Sequence, residues 1–165
     1  MEEQIPVEER REQSEEDITL SELKAINIAQ MAGIAGKVID YALSKIVDVM
    51  LTTEPIATML RQTGRTGLEG VLSVLEENID LLSFDLLDEA MMNVPSRTIK
   101  MMINMAIKAG SAFVKGSEFG QALKDDPTIL IDLLQKVRPD VAALLNRFPK
   151  LKNFIASYVA YKLLS

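Results

Sequence analysis

From Thr19 to about Leu51 the apolar residues recur with the period of a helix. Leu20, Leu23, Ile26, Ala29, Ile34, Val38, Ile39, Ala42, Ile46, Val49 and Met50 cover a broad surface, and Asn27, Gln30, Lys37, Ser44 and Asp48 form a thin polar stripe. The pattern predicts a single helix of roughly 45 Å at 1.5 Å per residue. Thr19-Leu20-Ser21-Glu22 has the spacing of a capping box at its start. Ala29, Ala32, Gly33, Ala35 and Gly36 make a small-residue patch on which a second helix can approach closely. An apolar face this wide predicts a central core helix, with a dimer seam as the rival reading.

Val94 to Gly116 repeats the pattern. Pro95 fits the first helical position and Gly116 the residue just past the end. Arg97, Lys100, Asn104, Lys108, Ser111 and Lys115 fall three or four residues apart on one narrow stripe. The remainder is apolar, including Ile99, Met101, Met102, Ile103, Met105, Ile107, Phe113 and Val114. A helix apolar on most of its circumference is expected to be buried on most of it. No Asp or Glu occurs from Ala90 to Ser117. The preceding stretch, Thr66 to Ser96, has no Lys or Arg and carries Glu69, Glu76, Glu77, Asp80, Asp85, Asp88 and Glu89. Because short connections favour antiparallel neighbours, the acidic segment and the basic helix are expected to pair, with opposite charges along the edge of their seam.

The other elements are short, and each is headed by a cap or a proline. Thr53-Glu54-Pro55 predicts a helix start with Thr53 as N-cap. Gly64 and Gly67 bracket a turn, and Thr66-Gly67-Leu68-Glu69 is a second capping box opening a helix to about Leu82. Ser83 caps a helix to about Asn93, and Ser117 caps one to about Lys124. Asp126-Pro127, Arg138-Pro139 and Phe148-Pro149 open the last three, each proline sitting where its missing N–H is harmless. No run of alternating apolar and β-branched residues predicts a strand. Residues 1–17 are rich in Glu, with Ile5 and Val7 their only branched apolar side chains. They read as an acidic tail, disordered or a frayed charged helix, that would need a partner surface to order.

At 165 residues the chain is long enough for one domain with a real core. The composition makes that core aliphatic: 48% of residues are apolar, 5% aromatic, nine are Met and none is Trp. Net charge is −6, divided unequally: residues 1–94 hold 7 basic and 19 acidic side chains, residues 95–165 hold 11 and 5. The two halves therefore neutralise each other within one molecule or between molecules. Without Cys or His, thiol chemistry, Ser-His-Asp systems and Cys- or His-ligated metals are excluded within the chain. The glycines match neither phosphate-binding spacing. Carboxylates remain; Glu76 and Asp80, and Asp85 and Glu89, stand one helical turn apart and could meet a hard metal such as Mg²⁺, although a solvated acidic face is the more ordinary outcome. The longest uncharged stretch, Ala25 to Gly36, is 12 residues and too short to span a bilayer. The polar start Met1-Glu2-Glu3-Gln4 is unlike a signal peptide, and with the absent Cys it fits a cytoplasmic protein.

The expected fold is all-α: a single compact domain over residues 18–165, six to eight helices, preceded by the acidic tail at 1–17. The expected function is non-enzymatic, an assembly subunit or adaptor acting by protein–protein contact and self-associating, without cofactor or metal. The partner-binding candidates are Arg97, Lys100, Lys108 and Lys115 on the basic stripe, with Met101 and Met105 from the cluster of five Met within residues 91–105. A nucleic-acid-associated coat or architectural subunit using the basic C-terminal half is the alternative, disfavoured by the few basic residues and the scarcity of stacking aromatics. A carboxylate- and Mg²⁺-dependent enzyme is a further one. Residues 149–165, with Lys150, Lys152 and Lys162 around Phe154, Tyr158 and Tyr161, are expected to dock on their own domain in preference to a membrane surface.

Overall fold

A computed structural model describes the backbone of residues 4–64, 67–92, 96–115 and 117–165, with side chains from residue 28 onward. Among the described residues there are nine α-helices and no strand: α1 (Gln4–Thr52), α2 (Ile56–Thr63), α3 (Gly67–Glu77), α4 (Phe84–Met92), α5 (Arg97–Val114), α6 (Glu118–Asp125), α7 (Ile129–Val137), α8 (Pro139–Asn146) and α9 (Pro149–Leu164), with a 3₁₀ turn at Ile79–Leu81. The expectation of six to eight helices was low because every short segment with its own cap becomes a separate element. The acidic tail and the Thr19 capping box lie outside the residues described with side chains, as do Thr66 and Pro95.

α1 is the central helix. It packs against α2, α3, α4, α5, α7 and α9. Met31, Ala32, Ala35, Val38, Ile39, Ala42, Leu43, Ile46 and Met50 are buried along it. The small patch has the expected use at Gly36, where a Cβ would stand 2.9 Å from a Val137 methyl, so α7 lies close against α1 there, while Gly33 faces open space. α9 is the second hub. It meets α1, α3, α5, α6, α7 and α8, and buries Leu151, Ile155, Tyr158, Val159 and Leu163. The C-terminal segment thus docks on its own domain.

Local signals explain most of the helix ends. Ser83 Oγ accepts from Leu86 N at 3.1 Å and Ser117 Oγ from Gly120 N at 3.2 Å, so both act as caps. Pro139 and Pro149 occupy the first positions of α8 and α9. Thr53 does not cap α2: its hydroxyl donates to Val49 O at 2.7 Å and closes the end of α1. The helix expected to reach Leu82 stops at Glu77, where the Asn78 side chain donates back to Val74 O at 2.8 Å and the 3₁₀ turn follows.

Candidate functional site

The site is α5 and the three grooves beside it. α5 begins at Arg97, with Ser96 as N-cap accepting from Ile99 N at 3.3 Å, two residues later than Pro95 implied. It runs antiparallel to α1. Gly110 faces Met31 and Ile34 near one end, and Met102 and Ile103 share a groove with Tyr41 and Ser44 toward the other. Gly110 also lets α9 close in, since a Cβ there would stand 2.5 Å from Leu163 Cδ2. The Ser111 hydroxyl donates to Leu163 O at 2.8 Å and ties α5 to α9.

The burial of α5 overturns the sequence expectation. Within the helix only Gly110 and Val114 are buried, and Ala106, Ile107 and Phe113 pack against the core in part. Met101, Met102 and Met105 are 58%, 54% and 65% exposed, and Ile99 is exposed beside them. The physical reason is position. α5 meets the body through α1, α9 and α6, so one stripe is covered and the apolar residues on the far side face solvent.

The expected pairing of the acidic segment with α5 is overturned as well. Three of its carboxylates turn to the C-terminal helices. Glu69 forms a fork with Arg147, Oε1 to Nη1 at 2.7 Å and Oε2 to Nη2 at 3.2 Å. The Glu76 carboxylate accepts from the backbone N–H of Lys150 and Leu151 at 2.9 and 2.8 Å, capping α9 from a neighbouring helix. Asp88 Oδ1 accepts from Tyr158 Oη at 2.6 Å and pairs with Lys162 Nζ at 3.0 Å. Burial alone would raise the Asp88 carboxyl, but the bonds from Tyr158 and Lys162 outweigh it and hold its pKa below the ordinary value. Burial, then the same carboxylate, raises the Tyr158 phenol. Phe84 anchors the contact, its ring 5.5, 5.5 and 5.4 Å from those of Phe154, Tyr158 and Tyr161. Glu76, engaged in capping, is not joined with Asp80 into a donor set, and no group of three or more acidic side chains able to hold a metal ion occurs among the described residues.

Those partnerships leave the basic stripe open. Arg97, Lys108 and Lys115 are exposed and Lys100 is half-buried. Among the described residues none of the four makes an ion pair. Met101, Met105, Lys108 and Lys115 line one groove of about 480 Å³ with Ser111 and Lys162, on the α9 side. Lys100 lines a smaller one of about 150 Å³ with Asp88, Met91, Met92 and Tyr158. Met102 and Met105 border a third, of about 620 Å³, against Lys37, Asp40 and Tyr41 of α1. Tyr41 Oη is buried there without a hydrogen-bond partner among the described residues, and burial, followed by Asp48, raises its pKa. The structure therefore brings five of the six predicted residues to grooves along α5, and leaves Arg97 at its N-terminal end. Sequence reasoning counted Met102 in the methionine cluster without singling it out as a candidate, and missed Tyr41. Tyr41 carried no signal of its own.

No helix among the described residues is long and apolar enough to cross a membrane. Comparison with protein-family models, with curated proteins and with solved structures found no match to this chain.

Proposed function

We propose that this protein works by protein–protein contact through the outer face of α5, as a self-associating assembly subunit or an adaptor. One observation carries the reading: Met101, Met102 and Met105 stand exposed together on a helix whose basic flank has no ion-pair partner among the described residues. Contiguous exposed apolar surface rimmed by polar groups marks interaction sites. Methionine, flexible and polarisable, suits a surface that must fit another side-chain array. A nucleic-acid backbone would use Arg97, Lys100, Lys108 and Lys115 and leave the methionines bare, and Phe113 is already packed edge-to-face with Phe119 at 5.7 Å.

The test is photo-crosslinking in the cells that make the protein, with a photoreactive side chain replacing Met105 or, as control, the exposed Asn146 on α8. The expected result is a discrete protein adduct from position 105, absent from 146 and lost when Met101→Glu is added. Equal labelling from both positions, or none from 105, overturns the proposal.

A further inference from the structure

Resting on that reading of α5, we propose that its outer face seats the acidic N-terminal arm, residues 1–17, of a second copy of this chain. The first argument is charge. The arm holds eight acidic and two basic side chains, a net of −6, which is the net charge of the whole protein; the remaining 148 residues are balanced. Within that balanced remainder three of the six acidic groups of residues 69–88, Glu69, Asp88 and Glu76, are engaged with Arg147, Lys162 and the start of α9. Arg97, Lys100, Lys108 and Lys115 make no ion pair among the described residues, and they share one helix on a stretch free of Asp and Glu from residue 90 to 117. A strongly acidic segment and a basic stripe without ion-pair partners among the described residues belong to the same chain.

The second argument is reach. α1 and α5 are antiparallel, and α1 passes Gly110 at Met31 and Ile34. The chain before residue 28 therefore leaves past the C-terminal end of α5, while Arg97, Lys100 and Met101 lie at the other end. α1 is one helix from Gln4 to Thr52, and a helix does not double back on its neighbour. An arm from another copy has no such restriction. As a helix, 17 residues would extend about 26 Å, close to the roughly 27 Å of the 18-residue α5. Ile5 and Val7 give the arm apolar side chains for the Met101–Met105 crest, and its carboxylates would run along the basic flank. Two copies exchanging arms form two equivalent contacts, the self-complementary arrangement of a closed dimer.

The experiment uses full-length variants and sedimentation velocity. An arm-neutralised chain carries Glu8→Gln, Glu9→Gln, Glu12→Gln, Glu15→Gln and Glu16→Gln. A face-reversed chain carries Arg97→Glu, Lys100→Glu, Lys108→Glu and Lys115→Glu. The wild-type chain should associate, and each variant alone should associate at least about tenfold more weakly with unchanged circular dichroism. Raising salt from about 50 to about 500 mM should weaken the wild type similarly, because exposed charges are then screened. The two variants mixed should form a heterodimer tighter than either alone, since one supplies an intact arm and the other an intact face. A wild-type chain that stays monomeric overturns the inference, whether or not its arm crosslinks to its own α5. So does an arm-neutralised chain that associates as tightly as wild type. In either case the crosslink from position 105 to another protein still tests α5 as an interaction face, so the two proposals fail separately.

Discussion

α1 and α5 are the same kind of sequence and opposite kinds of helix. Each is apolar on most of its circumference and polar on one stripe, and each has small residues where a neighbour approaches, at Gly36 and Gly110. α1 is enclosed by six helices and buries Ile39 and Ala42 completely, whereas α5 rests on one side and leaves Met105 mostly in solvent. Hydrophobic content alone thus does not separate a hub from an interaction face. What separates them is how many neighbours the topology supplies.

The sharpest way to break this comparison is to truncate one side chain from each helix. Ile39→Ala should cost about 2–5 kcal/mol, the loss of buried contact plus the cavity left behind. Met105→Ala should change stability by no more than about 0.5 kcal/mol, as exposed positions generally do. Urea denaturation of the dilute protein measures both; comparable losses would mean that α5 is enclosed like α1.

The next effect is smaller and separates the acidic segment's real partner from the expected one. Glu76→Ala should destabilise by about 1 kcal/mol, the usual worth of a helix cap, because the N–H groups of Lys150 and Leu151 lose their acceptor. Asp80→Ala, on the exposed 3₁₀ turn, should leave the denaturation midpoint where it was. Amide exchange at Lys150 and Leu151 should quicken in the first variant only.

The Asp88 contact adds a pH dependence. A carboxyl whose pKa is lowered by folding stabilises the protein above its unfolded value of about 3.9, and that contribution is lost as pH falls toward the lower folded value. Tyr158 works at the other end: its pKa is raised, so its contribution holds below the unfolded value of about 10 and fades as pH rises beyond it. Thermal midpoints should therefore be flat between these limits with respect to this pair. Asp88→Asn should blunt the acid limb; an unchanged acid limb would show that the carboxyl gains nothing from Tyr158 and Lys162.

The smallest expected effect is the most diagnostic for α5. Reversing Arg97, Lys100, Lys108 and Lys115 to Glu should leave monomer stability and helix content nearly unchanged, since none has an ion-pair partner to lose among the described residues. Near the helix N-terminus Glu is favoured by the dipole and near the C-terminus it is disfavoured, so the two ends offset. Unfolding of this variant, seen by circular dichroism, would place the stripe inside the domain and remove the contrast with α1.

Helix, cap and loop were written in local sequence. The 3.6-residue period marked α1 and α5, Ser83 and Ser117 marked starts, and Pro139 and Pro149 sat where a missing N–H costs nothing. Such signals act over one turn, through the dihedral angles and hydrogen bonds of adjacent residues, and so they are legible without the fold. The predicted residues on α5 were found by the same local means: their shared stripe is a property of the helix itself. Which carboxylate met which cation was not local. Glu69 and Arg147 are 78 residues apart, and Asp88 and Tyr158 are 70 apart. Adjacency in sequence pointed the acidic segment at α5, but the packing of α3 and α4 beside α9 set its partners instead. The exposure of Met101, Met102 and Met105 was decided in the same way, because a helix's pattern states how much apolar surface it has, and only the count of neighbours around it decides how much is covered.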